Sequence, residues 1–140
     1  MARKKCSSRS ICSGACAELL RSWQLPEVLC KSVQFSRYPE LAQPSRIPVD
    51  VRANVAALYL ARCCYDDLRA IEGAPPRLFV RDYLSALGYP DLSEEILLRE
   101  RVLPKLAAQR RHLPVSLAAS LETFGASARA RRPHSPDSAK

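Results

Sequence analysis

The chain has 140 residues, enough for one domain with one modest core. Hydrophobic residues make up 47% and charged residues 26%, which excludes a fibrous or wholly disordered chain, and no apolar run approaches the roughly 20 residues needed to span a bilayer. The net charge of +8 resides mostly in the two ends: setting aside eight basic residues and one acid there leaves, of the totals of 22 and 14, 14 basic and 13 acidic residues in the middle.

Residues 1–13 carry Arg3, Lys4, Lys5 and Arg9 without an acid and are expected to be a disordered basic N-terminus. They lack the apolar stretch of a secretory signal, so a cytoplasmic location and reduced thiols fit best. From Gly14 to Trp23, Ala15, Leu19, Leu20 and Trp23 recur at helical spacing. Pro26 and Glu27 suit a helix N-terminus, and Leu25, Val28, Leu29 and Val33 supply an apolar stripe up to Phe35. The short link between the two segments implies a helical hairpin.

Three prolines mark residues 38–48 as a loop. Val49 to Leu68 reads as the central helix, with Val51, Val55, Leu58, Tyr59 and Arg62 on one face. Leu78 to Leu87 is a further helix, stopped by Gly88. Asp91 or Ser93 can cap the next one, which Pro104 should kink or divide before His112. Pro114 opens a last helix to Phe124, and residues 125–140 are expected to be a disordered basic tail. No segment alternates at a two-residue period. The expectation is an all-α bundle of about five to six helices over residues 14–124.

Catalytic patterns are absent from the sequence. The four glycines are isolated, so no phosphate loop forms. His112 and His134 are the only histidines, and neither has a companion nucleophile. Of the six cysteines, only Cys12 and Cys16 approach a metal-ligand spacing, whereas Cys30, Cys63 and Cys64 lie on apolar helices where a thiol acts as a small hydrophobe. The acid pair Asp66–Asp67 ends a helix, where acids are unfavourable with the dipole and a solvated helix end is the expected reading, while Glu94–Glu95 sits in a helix first turn, where a structural role suffices. Residues 14–35 do not make a DNA-reading helix pair, because the second helix offers only Lys31, Gln34 and the following Arg37. No catalytic residue, metal or cofactor is therefore expected.

The segment from Gly14 to Glu40 resembles the HDOD domain, a non-catalytic relative of HD-type phosphohydrolases. Members show a leucine pair, then Trp-Gly-Leu-Pro, an apolar helix, and Tyr-His-His-x-Pro-Glu. Leu19, Leu20, Trp23, Leu25, Pro26, Val33, Phe35, Pro39 and Glu40 stand at matching places. Leu58 to Arg62, Leu87-Gly88 and the segment from Leu92 to Leu113 extend the likeness, which reaches Leu121 and corresponds to the latter half of that domain. Ser36 and Arg37 stand where the family often has two histidines, and Tyr59 and Arg62 where it has His and Asp. These residues are not plausible ligands for a divalent metal.

The resemblance implies a non-enzymatic bacterial signalling or regulatory module that works through contacts with an unidentified protein partner. Phe35, Ser36, Arg37, Tyr38, Tyr59 and Arg62 would line the surface left by an ancestral pocket, while Trp23, Leu25 and Pro26 would be a packing motif. Two alternatives stand beside it. The chain could bind nucleic acid through its basic ends. It could also be a truncated copy without independent function, whose uncovered apolar face favours self-association.

Overall fold

The computed structural model describes residues 8–130, and the fold is all-α, with no strand among the described residues. Helices α1 (Ser8–Ser22) and α2 (Glu27–Phe35) form a hairpin. Two 3-10 turns, Tyr38–Glu40 and Pro44–Arg46, lead to the long helix α3 (Arg52–Leu68). Helix α4 (Val80–Ala86) follows, then the single turn α5 (Glu94–Ile96). A π-helical segment, Leu97–Val102, joins α5 to α6 (Leu103–Ala108). A 3-10 turn at Arg110–His112 precedes α7 (Val115–Ala130).

Several boundaries differ from the sequence expectation, each for a local reason. Helix α1 begins at Ser8 rather than Gly14, because extending a formed helix gains one hydrogen bond for each residue fixed. Helix α7 continues past Phe124 to Ala130 through Ala126, Ala128 and Arg129, which are strong helix formers despite their tail-like composition. Helix α3 starts at Arg52, not Val49. Pro48 holds Ile47 extended (φ −100°, ψ 136°), and the chain then turns before the helix begins. Helix α4 starts at Val80, which leaves Leu78 exposed. The rest of the two ends, residues 1–7 and 131–140, lies outside the described residues.

Three helices stop in the same way. After α1, Gln24 takes a left-handed φ of 58°, with Leu25 N–H donating to Leu20 C=O and Gln24 N–H to Arg21 C=O. The same bond pair forms around Ala70 (φ 47°) after α3 and Gly88 (φ 87°) after α4. These are Schellman ends, which satisfy the last helical carbonyls and favour glycine. Ser93 is the cap of α5: its hydroxyl accepts from Ile96 N–H at 3.3 Å. Pro104 divides its helix as its chemistry requires. A proline ring clashes with the carbonyl four residues back, and the wider π turn immediately before α6 relieves that clash.

The main core gathers around α3. Ile47, Val51, Val55, Tyr59, Val80, Tyr83 and Leu84 are buried together, with Phe35, Phe79 and Leu87 packed against them. Tyr83 donates to Ala42 C=O at 2.7 Å, tying α4 to the loop before α3. A second, looser cluster forms where Cys64, Leu68 and Leu98 meet Leu97, Val102, Leu106, Leu117 and Phe124. Arg77 fastens the two regions: it pairs with Asp67 at 2.8 Å and with Glu94, and donates to Cys63 C=O at 3.1 Å. The two acid pairs thus each give one member to a structural ion cluster. Burial raises the Glu94 pKa, and the Arg77 charge only partly offsets it.

Candidate interaction surface

The six residues singled out from the sequence separate into four environments. Phe35 and Tyr38 meet edge to face at the end of α2, with centroids 4.7 Å apart. Ser36 turns its hydroxyl back to Val33 C=O at 2.7 Å and so serves the helix end. Arg37 and Arg62 converge from different elements. Both donate to Oε1 of Glu40, Arg37 at 2.8 Å and Arg62 from α3. Glu40 is mostly buried, which works against its charge. The bonds from Arg62 and Arg37 outweigh that cost and hold its pKa below the usual carboxylate range.

Tyr59 is a correction. It does not line a surface: it is 3% exposed, packed edge to face on Tyr83 at 5.2 Å. The hydrophobic face of α3 points into the core, and Tyr59 lies on that face between Val55 and Cys63. Its buried hydroxyl has no hydrogen bond of normal geometry. Burial, with the Cys63 thiol one turn along, raises its pKa well above the ordinary tyrosine value.

The hairpin of α1 and α2 brings a second correction. Trp23 and Leu25 are not buried packing residues; Trp23 is 63% exposed. Leu19, Val28 and Leu29 are also half-exposed. The inner side of the hairpin is narrow. Ala17 and Cys30 are fully buried, and the Cys30 thiol donates to Leu25 C=O at 3.6 Å. Leu19, Val28 and Leu29 therefore face water beside Trp23 and Leu25, whereas Leu20, Val33 and Phe35 are partly buried. These five residues are between 38% and 63% exposed, and large apolar side chains left open to water on one hairpin favour contact with another apolar surface.

The charges beside this face are held in ion pairs. Arg21 bridges Glu18 at 2.6 Å and Glu27 at 2.9 Å and also donates to Gln34 at 3.0 Å. Its hydrogen bond to Glu27 is the main reason its pKa rises, and the same bond lowers that of Glu27. Lys31 pairs with Asp50 at 3.1 Å and anchors α2 to the approach to α3. The two cations and three carboxylates beside the face are thus all engaged in ion pairs and leave a net charge of −1.

The periodicity of Leu19, Trp23, Leu25 and Leu29 is legible in the sequence; that it faces away from the core is not. Nor did the sequence single out Glu40 as the residue joining Arg37 to Arg62. Among the described residues, no group of three or more His, Cys, Asp or Glu side chains could hold a metal ion, and no helix is long and apolar enough to cross a membrane. Cys6, part of the weighed cysteine cluster, lies outside the described residues. In comparisons with known proteins, no protein family, curated protein or solved structure matches the chain.

Proposed function

We propose that this chain is a non-enzymatic regulatory module, resembling part of an HDOD domain, that acts through protein contacts made by the α1–α2 hairpin. The observation that carries this reading is the exposed face of Leu19, Trp23, Leu25, Val28 and Leu29. Large apolar side chains left exposed beside paired charges are characteristic of an interaction surface. Its occupant is an apolar surface of another polypeptide, because the side chains it would meet are apolar. Exposed tryptophan is also the side chain most enriched among residues that dominate binding energy.

The Arg37–Glu40–Arg62 cluster supports the non-enzymatic part of the reading. Two guanidiniums share one carboxylate at the place where the resemblance would put metal ligands. The cluster carries a net positive charge and repels a divalent cation.

The test is site-specific photo-cross-linking of the full chain in the cells that produce it, with benzoylphenylalanine at position 23. The control carries the same group at position 115, which is also exposed but lies on α7. The reading expects one discrete polypeptide adduct at position 23, lost with Leu29→Asp and absent at position 115. The captured polypeptide, once purified, must bind the chain; a second copy of the chain would identify self-association as the mode. Identical diffuse adducts at both positions would overturn the proposal.

A further inference from the structure

A cavity of about 420 Å³ opens beside the second cluster, between α3, the π-helical segment, α6 and α7. Its wall is almost wholly carbon, built from residues such as Leu60, Leu68, Leu97, Val102 and Leu117, with the buried Cys64 among them. Small-ligand sites occupy roughly 300–1,000 Å³ and are mainly apolar with a few placed polar groups. An apolar cavity of about 150 Å³ already admits benzene, so this one takes an alkyl chain on the order of ten carbons.

Two further features indicate a site rather than loose packing. The first is the π-helical segment, which contributes Leu97 and Val102 to the wall. The wide turn that accommodates Pro104 also spaces these two side chains around the opening. The second is the rim. Tyr65 lines the cavity, is half-exposed, and carries the Arg69 guanidinium 6.0 Å from its ring centroid. Arg69 forms no ion pair among the described residues, so its guanidinium at the Tyr65 ring is open to an anionic group.

We infer that this cavity binds a free amphiphile with a medium-length alkyl chain and an anionic head group, a fatty-acid-like carboxylate, with the chain against α3 and the head beside Arg69. The inference is independent of the protein contact proposed for the α1–α2 hairpin, which lies on other elements. Dodecanoate complements both parts of the site: its chain replaces water against Leu68 and Leu117, and its carboxylate supplies the charge that Arg69 lacks.

The test uses the full chain and isothermal titration calorimetry with dodecanoate below its micelle concentration. Saturable one-to-one binding is expected. Ala61→Phe, at a partly open position on the wall, should weaken it at least tenfold while leaving the far-ultraviolet circular dichroism unchanged. Arg69→Ala should weaken dodecanoate about fivefold, and dodecyltrimethylammonium should bind the parent at least tenfold more weakly than dodecanoate. Absence of saturable binding, or full affinity in a folded Ala61→Phe variant, overturns the inference. Equal affinity for the cationic amphiphile overturns the role of Arg69. Co-flotation with phosphatidylglycerol vesicles without affinity for dodecanoate would assign the cavity to a membrane lipid and overturn it as a site for a free carboxylate.

Discussion

Arg62 and Glu40 are joined across 22 residues of chain, and Arg37 holds the same carboxylate oxygen from the other side. This junction ties the end of the α2 region to the middle of α3. Glu40→Gln keeps the shape but leaves two guanidiniums facing each other, and should cost about 1–2 kcal/mol at pH 7. The pKa of Glu40 is depressed in the folded state. Its contribution is therefore present above the unfolded carboxylate value of about 4.3 and is lost as pH falls through the lower folded value. Urea unfolding of parent and variant at pH 7 and pH 3 should show the difference shrinking toward zero at the acid end.

Tyr59 and Tyr83 form a matched pair with opposite hydrogen-bonding states. The Tyr59 hydroxyl is buried with only the Cys63 thiol beside it and no hydrogen bond of normal geometry, whereas that of Tyr83 donates to Ala42 C=O at 2.7 Å. Tyr59→Phe should raise stability by about 1 kcal/mol, and Tyr83→Phe should lower it by about the same amount. Both keep the edge-to-face ring contact, so denaturant midpoints that move in opposite directions isolate the hydroxyls.

Gln24 and Ala70 hold left-handed backbone at two Schellman ends where glycine is favoured. Gln24→Gly and Ala70→Gly should each stabilise the chain by about 0.5–1 kcal/mol, because the strain relieved exceeds the added chain entropy. Gly88→Ala should lose about 1 kcal/mol by the reverse argument, since a Cβ there meets nothing within 4 Å and only the backbone conformation opposes it. Thermal midpoints followed at 222 nm measure all three.

The thiols should sort by burial. Cys30, Cys63 and Cys64 are buried, and burial raises the pKa of Cys63 and of Cys64 to about 11. Cys16 is exposed. In a chain carrying Cys6→Ser and Cys12→Ser, a disulfide reagent at pH 8 should consume one thiol quickly and three only on the timescale of unfolding. More than one fast thiol would contradict the packing of α2 or α3.

The helical framework was legible because its signals are local. Apolar residues recur at helical spacing along α3, Gly88 ends α4, Ser93 caps α5, and Pro104 and Pro114 mark real boundaries. Orientation was less legible, because periodicity shows that a stripe exists but not what covers it. Trp23 and Leu29 form such a stripe, and it faces solvent. Tyr59 failed for the converse reason: a residue aligned with a family's pocket lies here on the core face of its helix. The cluster at Glu40 needed tertiary structure, since Arg62 reaches it from a separate element.

The most direct test of the protein-contact account is the fluorescence of Trp23, the only tryptophan in the chain. Free, exposed tryptophan emits near the solvent-exposed limit. Titration with the polypeptide cross-linked at position 23 should move the emission to shorter wavelength and saturate at a fixed stoichiometry, and Leu29→Asp should abolish the shift. An emission maximum that stays at the exposed limit while the two polypeptides demonstrably bind would place the contact elsewhere and contradict the assignment of the α1–α2 face.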